Sequence, residues 1–200
     1  CGGLYCWALL TSSNDYISLS LHCKFELSSH ARVCTIAVSP MPLATGTSML
    51  VAGDHKGMLT IFQFEDPASA AAPATPSLLC TCKAHGKDRV TCVVLQPGET
   101  VSDTVLLSAG RNGSVNHFSL IQEKYGDPIT LKPFLVDKVG NFVSSVEQLY
   151  TNGSGDLILV GFHSVNFVAW NLTSHYQLLS VECGGARRSF SLALARPDRW

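Results

Sequence analysis

The side chains best suited to bind a ligand lie in two short basic clusters. KAHGKDR and GGARRSF each place cations beside glycine, and together they contribute Lys83, His85, Lys87, Arg89, Arg187 and Arg188. An arginine guanidinium can bind a backbone phosphate through two hydrogen bonds, and an aromatic ring such as that of Phe190 can stack on an unpaired base. The clusters therefore indicate a surface for RNA or a protein partner. The alternative is solvated loop charge that keeps strand edges from pairing.

Catalytic and metal-binding motifs are missing from the sequence. The seven histidines include no H-E-x-x-H pair, and no group of histidines and cysteines has zinc-finger spacing. There is no G-x-S-x-G elbow, no Walker loop and no G-x-G-x-x-G after an apolar run. The carboxylates are scattered, so their spacing predicts no acid and base pair. We therefore predict a protein that is not an enzyme and that holds no metal ion or cofactor.

Charge and cysteine usage predict a cytoplasmic protein. The formal net charge is -1, so any contact with nucleic acid must use a local patch. The eight cysteines form no C-x-x-C pair, and most lie in apolar runs such as VCTIAV, where a reduced thiol behaves as a small hydrophobe. No apolar run approaches the ~20 residues of a membrane span, so we expect no membrane contact. We treat the chain as part of a longer protein.

The elements that must position the basic clusters are repeated along the chain. LVAGDHKGMLTIF, LLSAGRNGSVNHF and LILVGFHSVNFVAW each read as two apolar runs around a polar corner, and they end in Phe62, Phe118 and Trp170. Residues 62 and 118 are 56 apart, and residues 118 and 170 are 52 apart. A second phrase, RVCTIAVSP from Arg32 and RVTCVVLQP from Arg89, has a period of 57. Two phrases in register indicate a structural repeat.

Each repeat reads as four short strands. Runs such as RVCTIAV, SMLVAG, LTIFQF and SLLCTCK are rich in β-branched and aromatic residues and are separated by Gly, Pro, Asp and Ser. Several are apolar on both faces, which favours sheets stacked between other sheets. We predict an all-β chain, a β-propeller segment of about three to four four-stranded antiparallel blades. The predicted units are 1–30 (partial), 31–84, 85–140, 141–186 and 187–200 (partial).

Three predictions concern particular segments of these units. The Pro/Ala/Ser-rich stretch at 65–77 has nothing to pack and is expected to be a mobile loop between two strands. The aromatic residues that end the repeated phrase are expected in the blade core. Three polar residues lie near the hairpin corner of successive units and should share one rim: His55, Arg111 and His163. They either form a surface for a partner or RNA, or are polar residues that fill exposed turns.

The motifs at the ends of the repeats resemble those of WD-repeat (WD40) proteins. Phe62, Phe118 and Trp170 stand at the place of the Trp of the Trp-Asp dipeptide, and Ala84-His85 stands near the usual Gly-His. In the standard repeat a His, a Ser or Thr, a turn Asp and the Trp form a hydrogen-bonded set. Because Arg111-Asn112 stands where the Asp would be and Phe118 cannot donate, the resemblance implies that this network is absent beside His85.

Four longer segments resemble one group within that family. GDHKGMLTIFQF, LLSAGRNGSV, GFHSVNFVAWN and VECGGARRSF look like the C-terminal propeller region of WD-repeat proteins that partner an FtsJ-type tRNA 2′-O-methyltransferase. The resemblance implies a non-catalytic subunit that binds this enzyme and positions tRNA for ribose methylation at the wobble nucleotide. The repeats alone are equally consistent with a protein-interaction scaffold, such as a signalling adaptor or substrate receptor, without RNA binding.

Overall fold

The described residues of the computed structural model form an all-β chain. They comprise 3–11, 17–27, 31–40, 46–65, 75–96, 98–122, 128–139 and 143–186. A two-stranded hairpin is followed by three four-stranded sheets. In chain order the strands are β1 Gly3–Thr11, β2 Ile17–Glu26, β3 Val33–Pro40, β4 Thr47–Asp54, β5 Met58–Glu65, β6 Ser77–Lys83, β7 Val90–Gln96, β8 Val105–Gly110, β9 Ser114–Ile121, β10 Thr130–Lys138, β11 Ser145–Thr151, β12 Leu157–His163, β13 Asn166–Asn171 and β14 Tyr176–Glu182.

Each sheet is an antiparallel meander of strands that follow one another in sequence. The first sheet is β3 to β6, the second is β7 to β10 and the third is β11 to β14. The corner between β4 and β5 shows why the sequence turns there. Asp54 Oδ1 accepts hydrogen bonds from the backbone N–H groups of Lys56 and Met58 at 2.8 and 2.9 Å, and Gly57 adopts a φ of +80°. A carboxylate acceptor and a left-handed glycine are the usual chemistry of a tight turn.

Side chains alternate between two neighbours along the middle strands. Met49 and Val51 of β4 pack into a cluster with the second sheet, whereas Leu50 and Ala52 pack into a cluster with the β1–β2 hairpin. Residues of opposite parity lie on opposite faces of a strand, so β4 is covered on both sides. Another cluster joins the second sheet to the third, with Trp170 among its members. The sheets are therefore stacked face to face, as the continuous apolar runs predict.

The first and fourth strands of each sheet have different surroundings. The first strands β3, β7 and β11 contact one another in succession, whereas the fourth strands β10 and β14 are almost wholly exposed. Sheets that converge on their first strands and diverge at their fourth are blades around a common axis. The described residues thus form a β-propeller segment with three four-stranded antiparallel blades, and the predicted fold class is confirmed.

The aromatic residues that end the repeated phrase lie in the blade core. Phe62, Phe118 and Trp170 are 3%, 4% and 9% exposed, which confirms their predicted role. The small residues before the corners allow close packing between blades. A Cβ on Gly53 would lie 2.6 Å from Val90 Cγ1, so the end of β4 and the start of β7 approach as closely as glycine permits.

Two predicted segments lie largely outside the described residues, and one prediction is left untested. The Pro/Ala/Ser-rich stretch at 65–77 is described only at 65 and 75–77, and the final unit at 187–200 is not described. The sheets occupy 33–83, 90–138 and 145–182, and the division into five units stays a prediction. None of the described residues belongs to a helix long and apolar enough to cross a membrane.

Candidate functional site: the two ends of the blades

Strand direction places two kinds of loop at the same end of the blades. In an antiparallel meander the corner between the second and third strands and the connector after the fourth strand share one end. The first connector confirms this, because the N–H groups of Ala84 and His85 both donate to the Gly57 carbonyl, at 2.9 and 3.2 Å. We call this end, formed by 54–57, 84–89, 110–113 and 163–165, the connector end.

The three corner residues occupy equivalent positions at the connector end. Each comes directly after a residue of its blade's second strand that is paired with the first residue of the first strand. Those paired residues are Asp54, Gly110 and Phe162. The backbone repeats too: the N–H groups of His55 and Arg111 donate to the carbonyls of Arg32 and Arg89, both at 3.1 Å. The side chains of all three corner residues are exposed: His55, Arg111 and His163.

The KAHGKDR cluster is divided by the structure. Lys83 and Lys87 are exposed at the connector end, as a binding surface requires, whereas Arg89 is half-buried. His85 is only 2% exposed, so it does not fit the predicted surface role. Its ring lies under the corner of the next blade, where a Cβ on Gly110 would collide with Nδ1. The cluster therefore supplies two exposed lysines, one interior arginine and one structural histidine.

His85 is the centre of a buried hydrogen-bond chain. Its Nε2 lies 2.8 Å from Ser108 Oγ, and its Nδ1 lies 3.1 Å from Ser114 Oγ. The Ser114 hydroxyl donates to Asn112 Oδ1 at 2.8 Å, so Ser114 Oγ accepts from His85 Nδ1–H and Ser108 donates to Nε2. The imidazole is then neutral, in agreement with burial, which lowers its pKa from the ordinary 6.5.

The hydrogen bonds around His85 show that the expected absence of the repeat network was wrong. Asn112 takes the place of the turn Asp, and Ser114 relays its contact to the imidazole. Phe118, which cannot donate, replaces the Trp and packs in the core instead. An amide oxygen accepts hydrogen bonds as a carboxylate does, so Asn112 serves as the acceptor of this relay without carrying a charge.

The two ends of the blades differ in charge. Exposed cations outnumber exposed carboxylates at the connector end and on the strand residues next to it: Lys56, Lys83, Lys87, Arg111 and Lys138 stand against Asp88 and Glu182. The loops at the other end, described at 98–104, 152–156 and 172–175 and at residues 46, 65, 75, 76, 122, 128 and 129, carry no Lys or Arg. They hold four carboxylates: Glu65, Glu99, Asp103 and Asp156. A chain that is nearly neutral overall therefore presents a basic end and an acidic end.

The GGARRSF cluster is described only up to Ala186. Gly184 and Gly185 follow β14 with φ values of +87° and +83°, and Arg187 and Arg188 lie outside the described residues. β14 ends at the connector end, because it is the fourth strand of its blade. The two arginines remain candidates for the predicted binding surface.

The first strands line a cavity that sequence reasoning did not identify. It has a volume of about 320 Å³ and is lined by Arg32, Val33, Cys34, Arg89, Thr91 and Glu147. These residues belong to or directly precede β3, β7 and β11, the strands nearest the propeller axis. One signal was available, because Arg32 and Arg89 open the second repeated phrase at the same position.

The described cysteines are free thiols. Cys6, Cys23, Cys34, Cys80, Cys82, Cys92 and Cys183 form no disulfide, and the described His, Cys, Asp and Glu side chains form no group of three that could hold a metal ion. Burial raises the pKa of Cys23, Cys80 and Cys82 to about 11 in each case. These thiols are therefore protonated at neutral pH.

We expect alkylation to distinguish these cysteines. At neutral pH iodoacetamide should modify Cys80 and Cys82 much more slowly than the exposed Cys183, because the thiolate is the nucleophile and their pKa is raised. Peptide mass spectrometry on samples quenched over time measures each rate. Denatured protein is the control, in which the rates should converge. Equal rates in the native protein would contradict the buried, protonated state.

Comparisons with known proteins confirm the resemblance seen in the motifs. No family model matches the chain. It is similar to the tRNA (34-2′-O)-methyltransferase regulator WDR6 of Mus musculus, at 34% identity over 109 residues, and to that of Homo sapiens, at 26% over 170 residues. These matches cover 54% and 72% of the chain. The chain spans only 9% and 14% of those relatives.

Solved structures show a likeness in fold alone. A chain of the humanized mutant of the Chaetomium thermophilum Polycomb Repressive Complex 2 matches 86% of this chain over 33% of its own length, with a TM-score of 0.59 and 13% identity. The β-propeller domain of Myceliophteria thermophila Cps50 (Swd1) matches 76% of this chain over 43% of its own length, with a TM-score of 0.48 and 17% identity.

Proposed function

We propose that the chain is a non-catalytic WD-repeat segment of a cytoplasmic regulator of tRNA 2′-O-methylation. In this role it binds an FtsJ-type methyltransferase and helps position tRNA for ribose methylation at the wobble nucleotide. Relatives that share 26–34% identity with it are named as tRNA (34-2′-O)-methyltransferase regulators, and that name motivates the proposal. A regulator supplies a surface rather than a catalytic group, in keeping with the lack of catalytic motifs in the sequence.

The observation that carries the RNA part of the proposal is the basic connector end. Lys87 and Arg111 are exposed there, with Lys56 on a neighbouring corner, and His55 lies beside them. Phosphate contacts by lysine and arginine supply much of the affinity of proteins for nucleic acid. The opposite end of the blades, which carries Glu65, Glu99, Asp103 and Asp156, would repel the same polyanion. Bound tRNA would therefore lie on the connector end.

Binding of tRNA across a salt series tests this proposal. We expect the affinity of wild type to fall as salt rises, and the triple variant Lys56→Ala/Lys87→Ala/Arg111→Ala to bind more weakly with a shallower slope. Each lost phosphate contact should reduce the slope of log K against log salt by about 0.7–0.9. Fluorescence anisotropy with labelled tRNA, with and without the methyltransferase, measures both quantities. A parallel variant, Arg187→Ala/Arg188→Ala, tests the second basic cluster.

The matched control is Lys132→Ala. Lys132 is exposed on the outer strand β10, away from the connector end, and its loss should leave the slope unchanged. If Lys132→Ala and the triple variant lowered affinity alike, binding would depend on overall charge rather than on this end. An absence of tRNA binding with the methyltransferase present would rule out the RNA role for this surface.

The second candidate function is a protein-interaction scaffold without RNA binding. The outer strand β14 favours it, because all seven of its residues are exposed and four are large and apolar: Tyr176, Leu178, Leu179 and Val181. An exposed apolar edge strand offers unpaired backbone groups and side-chain contacts to an added strand. A protein partner that binds the chain at high salt, in the absence of tRNA affinity, would support this alternative.

A further inference from the structure

Bulges turn three side chains toward the cavity at the propeller axis. The pairing register shifts between Val33 and Thr35 in β3, between Val90 and Cys92 in β7, and between Val146 and Gln148 in β11. The residues between those pairs are Cys34, Thr91 and Glu147, and all three line the cavity. A bulge at the same stage of three successive first strands re-aims a side chain, a device that recurs at binding sites.

The charges around this cavity are not balanced. Of the described residues that line it, Arg32, Arg89 and Glu147 are charged, which leaves one positive charge in excess. The Glu147 carboxylate already accepts a hydrogen bond from the Ser145 hydroxyl at 2.6 Å. Arg89 Nε is buried and has no hydrogen-bond partner among the described residues. A buried guanidinium N–H without an acceptor is unfavourable, and an anion in the cavity would relieve it.

We propose that this cavity binds a side-chain carboxylate of an acidic peptide segment from a protein partner. Arg32 and Arg89 hold the carboxylate, beside a Thr91 hydroxyl that donates to the Ala109 carbonyl at 3.3 Å. One carboxylate matches the single excess positive charge, whereas a doubly charged phosphate would leave one negative charge in excess beside Glu147. The volume of about 320 Å³ exceeds the space that a lone carboxylate needs, so neighbouring peptide atoms are held as well. The cavity adjoins the connector end, to which Arg89 belongs, but the proposal rests on the cavity's own side chains and does not depend on the RNA proposal.

The test uses the full-length protein and a defined probe. The probe is a fluorescein-labelled peptide of alternating glycine and glutamate, and its matched control is the same peptide with glutamine. We expect the glutamate peptide to bind and the glutamine peptide to bind at least about tenfold more weakly, because the buried Nε–H group of Arg89 then loses its charged acceptor. Inorganic phosphate and acetate serve as competitors. Acetate should displace the peptide more readily than phosphate does at equal concentration.

Two isosteric variants locate the binding site. Arg89→Met, which keeps the volume of the side chain, should weaken peptide binding at least about tenfold. Lys132→Met, on the exposed outer strand β10 of the same blade, should leave it unchanged. Circular dichroism checks that both variants are folded. Where Arg89→Met does not fold, Arg32→Met serves in its place, since Arg32 is exposed and lines the same cavity.

The outcomes separate this proposal from the RNA proposal. Glu147→Gln should tighten peptide binding and allow phosphate to compete, because the like charge is gone. Equal binding of the glutamate and glutamine peptides, or no effect of Arg89→Met, would overturn the carboxylate site. Loss of tRNA affinity in Arg89→Met together with displacement of the peptide by tRNA would assign the cavity to RNA instead. Loss of tRNA binding in the connector-end variant alone leaves the carboxylate site supported.

Discussion

Replacing His85 with alanine should lower the free energy of unfolding by about 3 kcal/mol, since a buried ring and its hydrogen bonds are lost together. Ser108 is 0% exposed and would lose its imidazole acceptor, while Ser114 would lose its donor. The ring also lies between the connector 84–89 and Gly110, so its removal leaves a cavity between this connector and the corner of the second blade. Urea unfolding followed by tryptophan fluorescence measures the change.

The effect of this substitution should depend on pH. The pKa of folded His85 lies below its unfolded value of 6.5, so the unfolded chain binds more protons between those two values. The stability that neutral His85 contributes is complete above 6.5 and decreases as the pH falls below it. We therefore expect the destabilisation by His85→Ala to be smaller at about pH 5.5 than at about pH 7.5.

An exposed neighbour provides the control for His85. Lys87→Ala, two residues along the same connector, should change the free energy of unfolding by no more than about 0.5 kcal/mol at either pH. A loss below about 1 kcal/mol in His85→Ala would mean that the hydrogen-bond chain adds little stability. A destabilisation that did not vary with pH would show that the imidazole titrates alike in both states.

Gly161→Ala should destabilise the third blade by about 3 kcal/mol through steric overlap alone. A Cβ at this position would collide with the Ser145 carbonyl oxygen and lie 2.9 Å from Val143 Cγ1. The obstacle is backbone of the paired strand β11, so it cannot rotate away as a side chain can. Relief would require β11 to move from β12, with loss of the Ser144 N–H to Phe162 carbonyl bond of 2.8 Å. Thermal unfolding and hydrogen exchange across 145–163 measure the damage.

Another glycine in the same blade serves as a control, because it separates the effect of steric overlap from any general effect of replacing glycine with alanine on stability. A Cβ on Gly153 would meet nothing within 4 Å, so Gly153→Ala should leave stability nearly unchanged. Gly53→Ala should lie between the two, because its Cβ would press on the Val90 side chain, which can yield partly. Equal stability of the Gly161 and Gly153 variants would show that β11 and β12 tolerate separation.

The repeated phrase predicted the blades because each copy keeps the residues that a hairpin needs. Gly57 and Gly113 both adopt positive φ, and the aromatic residue after each corner enters the core. The third copy is less regular because its corner is turned by Ser164, a non-glycine residue with a φ of 56°. The period of the repeats therefore identified the sheets. The residue types at the third corner did not predict its backbone conformation.

The candidate site was predicted less completely, because the residue types in a charge cluster do not show which side chains are buried. Lys83, His85, Lys87 and Arg89 look alike in sequence, yet His85 and Arg89 point inward and the lysines outward. The reason is that the connector is fixed on one side by Gly57 and on the other by Gly110. The cavity at the axis was missed because it depends on three bulges in separate strands, and pairing registers cannot be read from composition.

The unequal ends of the blades give a chain with almost no net charge a sizeable electric dipole. Such a molecule exerts a torque on an approaching polyanion, so the basic end is turned toward it before any contact is made. Pre-orientation of this kind acts on the rate of encounter, which rises when fewer collisions present the wrong face. Reversing the charges at the acidic end would therefore cancel this pre-orientation, so that a polyanion would meet either end of the blades with similar frequency.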